Sequence, residues 1–111
     1  MRPGIVADPG AAVHGFGTDC LAVPAGTPFT LTFENRDPGV PHNVEIFRTS
    51  AAAQRLGGAK GPGDAVTGPG RAVYRVSALP PGTYYFQCDI HPTTMQGTLV
   101  VTGSSTAPGS P

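Results

Sequence analysis

Residues 29–33 read Phe29-Thr30-Leu31-Thr32-Phe33, an alternation of apolar and polar side chains with a period of two. Successive side chains of an extended chain point to opposite faces, so Phe29, Leu31 and Phe33 share one face of a half-buried strand that runs on to Asn35. Working outward, short runs of β-branched and aromatic residues predict further strands at 11–16, 20–23, 42–47, 72–76, 83–88 and 98–102. Between them stand Pro24-Ala25-Gly26, Asp37-Pro38-Gly39, Gly68-Pro69-Gly70 and Pro80-Pro81-Gly82. This is turn chemistry, in which proline sets φ and glycine frees it. Short strands at this spacing, without a long helical period, predict an all-β antiparallel sandwich or barrel.

One short helix is expected, over residues 50–56, with Ser50 placed as N-cap and Gly57 as stop. The glycine-rich stretch 57–64 after it reads as a mobile surface loop. Residues 1–10 and 103–111 show no periodicity and are rich in proline and glycine, so a flexible N-terminal extension and a flexible C-terminal tail are expected around a domain at 11–102. At 111 residues there is room for one domain of ordinary size.

The 16 glycines and 13 prolines approach the composition of disordered chains, but 39% hydrophobic and only 13% charged residues favour folding. Seven basic residues balance seven acidic ones, with no basic stripe. Nucleic-acid binding is therefore not expected, since that affinity comes from clustered cations displacing counterions. No apolar run approaches the ~20 residues of a membrane span, and the opening MRPGIVADPG has no apolar signal-peptide core. Two cysteines are too few for a disulfide scaffold.

The chemistry concentrates in residues 86–97, where Cys88, His91 and Met95 fall between two predicted strands; His42 starts another strand 46 positions upstream of Cys88. A loop at one end of a sandwich can bring a thiolate, an imidazole and a thioether together while a neighbouring loop adds the second imidazole. Two His, one Cys and a weak axial Met make the donor set of a mononuclear blue-copper site, able to carry one electron. Taken singly, each residue has a plainer reading: Cys88 as a small buried hydrophobe, His42 as a satisfied loop histidine, Met95 as a gap-filler. Their joint placement favours the metal.

His14 reads as a solvent-facing histidine, with an accessory metal ligand as the alternative. Cys20 reads as a buried free thiol; an intermolecular disulfide or a bond to Cys88 are the other readings, and the last would destroy the site. Tyr74, Tyr84, Tyr85 and Phe86 read as core. Zinc on the two His and the Cys remains a residual alternative.

Segments 23–47 (VPAGTPFTLTFENRDPGVPHNVEIF) and 79–101 (LPPGTYYFQCDIHPTTMQGTLVV) resemble the cupredoxins, most closely the small plastocyanin- and amicyanin-like bacterial members. The resemblance implies an eight-stranded Greek-key β-sandwich with one copper ion at one end. It makes His42, Cys88 and His91 the strong ligands and Met95 the axial one, with Asn43 tying the ligand loops together. Two departures stand out: three residues separate His91 from Met95 where many relatives have two or four, and Asp89 occupies a position where Ser or Thr is common.

The resemblance further implies an extracytoplasmic, periplasmic or cell-surface protein, with any signal or anchor outside these residues. It implies a monomer that passes electrons to a redox protein docking near His91, across an apolar patch of Val40, Pro41, Pro92 and Met95. A module for copper storage, delivery or sensing would use the same ligands. Enzymatic reduction of nitrite or an oxidase reaction needs more histidines than the one left over, and a binuclear copper centre needs two cysteines in the ligand loop.

Overall fold

The computed structural model describes residues 3–103. Ten strand segments follow in chain order: β1 (Gly4–Ala7), β2 (Cys20–Pro24), β3 (Phe29–Asn35), β4 (Pro41–His42), β5 (Glu45–Phe47), β6 (Arg55–Gly58), β7 (Val66–Thr67), β8 (Gly70–Val76), β9 (Gly82–Gln87) and β10 (Gln96–Thr102). Three strands form one sheet in the order β1-β3-β8, and five form the other in the order β2-β10-β9-β5-β6. The two-residue strands β4 and β7 pair with each other as a separate antiparallel ladder. From β2 to β3, β3 to β5, β6 to β8 and β8 to β9 the chain changes sheet, which is Greek-key crossing of a β-sandwich.

The alternation at Phe29, Leu31 and Phe33 is realised as read: all three are buried, and the residues between them are half-buried. Ile5 and Leu31 from one sheet and Ile46, Phe86 and Leu99 from the other belong to the same core as Phe33. Phe16 closes that core with an edge-on contact to Phe33, centroids 6.2 Å apart, and a tilted contact to Phe86 at 5.6 Å. Tyr84 and Phe86 are core residues as expected, whereas Tyr74 and Tyr85 are only partly buried.

Several local expectations are corrected. The sheets are mixed, because β1 runs parallel to β3 and β2 runs parallel to β10. Within the segment read as a linker, Gly4–Ala7 forms β1, placing Ile5 and Ala7 in the core. Residues 11–16 are not a strand: Ala11–His14 make a single helical turn, α1, bounded by Gly10 (φ 86°) and Gly15 (φ 88°). Those left-handed glycines reverse the chain on either side, so 11–16 cannot extend.

The expected helix at 50–56 does not form. Ala52 (φ 55°) and Gln54 (φ 60°) leave the right-handed region, residues 50–55 are exposed, and Arg55–Gly58 pairs with β5 instead. Two turns of helix without a face to bury lose to a sheet ladder. The stretch 57–64 is consequently half structure and half loop, with Gly57 and Ala59 buried. The expected tail at 103–111 lies outside the described residues beyond Gly103.

Gly97, the second residue of β10, stands opposite Phe86 of β9. A Cβ there would collide with the Phe86 ring and stand 2.6 Å from the carbonyl oxygen of Asp19. Gly97→Ala is expected to destabilise the apo-protein by about 1–3 kcal/mol, as overpacking does. Gly63→Ala, where a Cβ meets nothing within 4 Å, is expected to stay within about 0.5 kcal/mol. Chemical denaturation of both variants measures the contrast.

Candidate metal centre

The antiparallel pairing of β5 with β9 aligns Glu45 with Gln87 and Ile46 with Phe86. Continued past those pairs, the same register brings Asn43 to Asp89, so His42 and Asn43 on one chain and Cys88 and Asp89 on the other are neighbours at one end of the sandwich. Asn43 ties them: its Oδ1 accepts the Asp89 backbone N–H at 2.8 Å. Its Nδ2 donates to Gly61 O (2.9 Å) and Asp64 O (3.1 Å), and more weakly to Asp89 Oδ2 (3.3 Å). Asp89 thus still bonds Asn43 despite replacing the expected hydroxyl residue, and Asn43 also fixes the 60–64 loop.

After β9 the chain turns back into β10. Cys88 N–H donates to Met95 O at 2.9 Å, and Met95 N–H donates to His91 O at 2.9 Å. The second bond closes an i to i+4 turn, so the three-residue spacing between His91 and Met95 is one helical turn, which sets both side chains on one side of it. Thr94 Oγ1 anchors the turn to α1 through Ala12 O at 2.6 Å.

His42, Cys88 and His91 converge, with their donor atoms all within 4.8 Å of one another. Cys88 Sγ lies 3.8 Å from His42 Nδ1 and 3.9 Å from His91 Nδ1, and the two rings are 5.0 Å apart. An ion bonded at ~2.0–2.3 Å to nitrogen and sulfur at trigonal angles spreads its donors to roughly 3.6–3.8 Å, so the three atoms fit a soft transition metal. They form a candidate type 1 copper site. His42, Cys88 and Met95 are fully buried, and His91 is partly exposed. Burial, then the neighbouring His42, hold the His91 imidazole below its ordinary pKa, partly offset by Asp37; it is more readily neutral and available to a metal.

The cupredoxin-like domain family matches residues 11–101. The chain belongs to that family. No curated protein matches its sequence. In fold this cupredoxin is similar to the dithionite-reduced auracyanin of Roseiflexus castenholzii, at 21% identity and TM-score 0.77 over 96% of this chain and 97% of the other. It is similar also to auracyanin A, a blue copper protein from Chloroflexus aurantiacus, at 21% identity and TM-score 0.76 over 92% and 98%. A blue copper oxidase from Nitrosomonas europaea contains the same fold within a longer chain, at 16% identity and TM-score 0.68 over 96% of this chain and 40% of the other.

Two expectations about neighbouring residues change and one holds. Cys20 is an exposed free thiol, because it starts the edge strand β2 on its outward face while Leu21 packs inward. Met95 is buried and cannot belong to a surface patch, which leaves exposed Pro41 and Pro92 with half-buried Val40. His14 is exposed as expected and stands outside the ligand group.

Two residues escaped the sequence reading. Asp37, read as part of a turn, places Oδ2 2.8 Å from His42 Nε2, and that hydrogen bond, helped by Gly10 N–H, holds its carboxyl below the usual range. Asn35, read as a strand end, is fully buried: its Nδ2 donates to Val40 O (2.8 Å) and Val66 O (2.7 Å), and its Oδ1 accepts from Asp37 N–H (2.9 Å). The signal for both was their position within seven residues of His42.

Behind the ligand loops, Glu45 is buried beside Asp89, with Arg55 Nε 3.2 Å from its Oε2. Burial and the adjacent Asp89 carboxylate push the Glu45 pKa up to about 7, against the opposing pull of Arg55. A carboxyl with a raised pKa stabilises the folded chain fully below about pH 4.5 and loses that contribution as the pH rises through about 7. The Glu45 contribution is expected to fall as the pH rises from about 4.5 to about 7, against an opposite contribution from His91, whose depressed pKa adds stability as that ring loses its proton. In denaturation series of the apo-protein, Glu45→Gln is expected to remove the falling component and leave stability rising more steeply with pH than in the wild type.

Proposed function

We propose that this cupredoxin is a type 1 copper protein that carries single electrons between redox partners. The observation that carries the reading is a fully buried Cys88 sulfur flanked by two imidazole Nδ1 atoms at 3.8 and 3.9 Å. Copper held there supplies one-electron redox chemistry. Cys88 and His42 bind from the interior, and a rigid sheet end holds their geometry in either oxidation state. His91, the partly exposed member, offers the path between the site and a partner. We assign Met95 as the axial donor: the turn that joins it to His91 faces both side chains the same way, and its burial suits a thioether turned inward.

Burial of His42, Cys88 and Met95 favours retention of the metal over its release, and so an electron carrier over a storage, delivery or sensing module. We read the chain as a non-enzyme, since His14 is the one histidine left for a second copper site. Among the described residues no helix is long and apolar enough to cross a membrane. We place the domain, which runs from β1 to β10, outside the cytoplasm as a monomer that meets its partner briefly at the His91 end, around Pro41 and Pro92. Interfaces of fast electron transfer are small.

Addition of Cu(II) to apo-protein, followed by visible absorption and EPR, tests the reading. The wild type is expected to develop an intense thiolate-to-copper band. Cys88→Ala is expected to stay colourless while its apo form unfolds within about 1 kcal/mol of the apo wild type, the cost of one small buried group. A coloured Cys88→Ala protein overturns the assignment.

Met95→Gln, with a harder oxygen donor, is expected to stabilise Cu(II) and lower the reduction potential. Met95→Leu, with no donor, is expected to raise it. Voltammetry of the two coloured variants checks the opposite signs; a potential unmoved by both removes Met95 from the coordination sphere.

A further inference from the structure

His42 can bind a metal through Nδ1 only if that nitrogen carries a lone pair, which requires the ring proton to sit on Nε2. Nε2 points at Asp37 Oδ2, 2.8 Å away, and the imidazole is fully buried. An ionised carboxylate only accepts hydrogen bonds, so a proton on Nε2 is the arrangement that satisfies both groups.

Asp37 is itself fixed by contacts that do not involve the metal. Its backbone N–H donates to Asn35 Oδ1 at 2.9 Å, and its carbonyl oxygen accepts Val40 N–H at 3.2 Å. Its other carboxylate oxygen accepts Gly10 N–H at a long 3.4 Å. Asn35 in turn clamps Val40 and Val66. The carboxylate is thus held on the far side of the His42 ring from Cys88.

We infer that Asp37 is a positioning residue for the metal centre: it fixes the tautomer and orientation of His42 and, through the shared proton, lends negative charge to the ligand set that favours Cu(II) over Cu(I). The inference rests on the copper reading above for its redox half, whereas its tautomer half concerns the apo-protein alone. A carboxylate behind a ligating histidine raises the basicity of the ring, and loss of such a partner typically lowers metal affinity 10–100-fold.

Two variants separate position from charge. Asp37→Asn keeps an oxygen that can accept from Nε2 but removes the charge; Asp37→Ala removes both. Nitrogen-15 NMR of the apo-proteins reads the tautomer directly. The wild type and Asp37→Asn are expected to show His42 protonated on Nε2 with a slowly exchanging proton, and Asp37→Ala is expected to lose that protection.

In the copper-loaded proteins, Asp37→Asn is expected to lower the ratio of Cu(II) to Cu(I) affinity about tenfold, a rise of about 59 mV in a one-electron potential. A merely structural role would not move the potential of a folded, coloured Asp37→Asn protein. An unchanged potential in that variant overturns the charge effect, and a wild-type His42 protonated on Nδ1 overturns the positioning role. If the wild type takes up no copper, the proposed function fails while the NMR result still decides whether Asp37 sets the tautomer. If Asp37→Ala does not fold, Asp37→Asn and the wild type carry both comparisons.

Discussion

Everything at the metal end depends on the register between β5 and β9. Because Glu45 stands opposite Gln87, the two chains leave the ladder together, so that Asn43, two residues before Glu45, meets Asp89, two residues after Gln87, and their neighbours His42 and Cys88 bring two of the donors to one place. A shift of one residue would turn the side chains of one strand to the opposite face and separate the donors. The register is held from the core by Ile46 and Phe86 and from the end by Asn43, whose side chain bridges to Asp89 N and to the 60–64 loop.

That end of the sandwich is unusual in burying polar groups. Asn35, Asp37, His42, Asn43, Glu45 and Gln87 are all buried, and among the described residues every buried side-chain nitrogen and oxygen has a partner. Satisfied networks of this kind restrict the chain to one arrangement, because any alternative strands a donor or acceptor away from water. Asn35 orders the loop before His42, Asn43 orders the 60–64 loop and the chain at Asp89, and the i to i+4 turn from His91 to Met95 orders the ligand loop. The donors accordingly stand close to metal-binding distances through contacts made by the protein itself.

Such a site suits a carrier of electrons. Loss or gain of one electron costs least when the surrounding dipoles and ligands need not rearrange, and the thiol, His42 and Met95 are all locked in the interior. His91 differs, being partly exposed on a turn flanked by Pro92 and anchored to α1. The same sandwich that shields the site therefore leaves one ligand within reach of a partner.

The alternation at Phe29, Leu31 and Phe33 and the proline-glycine turns were enough in the sequence alone to indicate an all-β sandwich or barrel, and the clustering of Cys88, His91 and Met95 was enough to point to a soft-metal site. These are local signals: a period of two, fixed φ angles and short spacings read directly from residue order. Tertiary structure alone decided that Gly4–Ala7 is a core strand, that 50–56 yields to the β5 ladder, that Cys20 faces solvent, and that Asp37 stands behind His42. Each of those outcomes is a competition between local preference and a distant pairing partner. Nothing in the residues near position 4 announces the strand at 32–35 that they join, and an aspartate in a turn carries no mark of the imidazole it will meet.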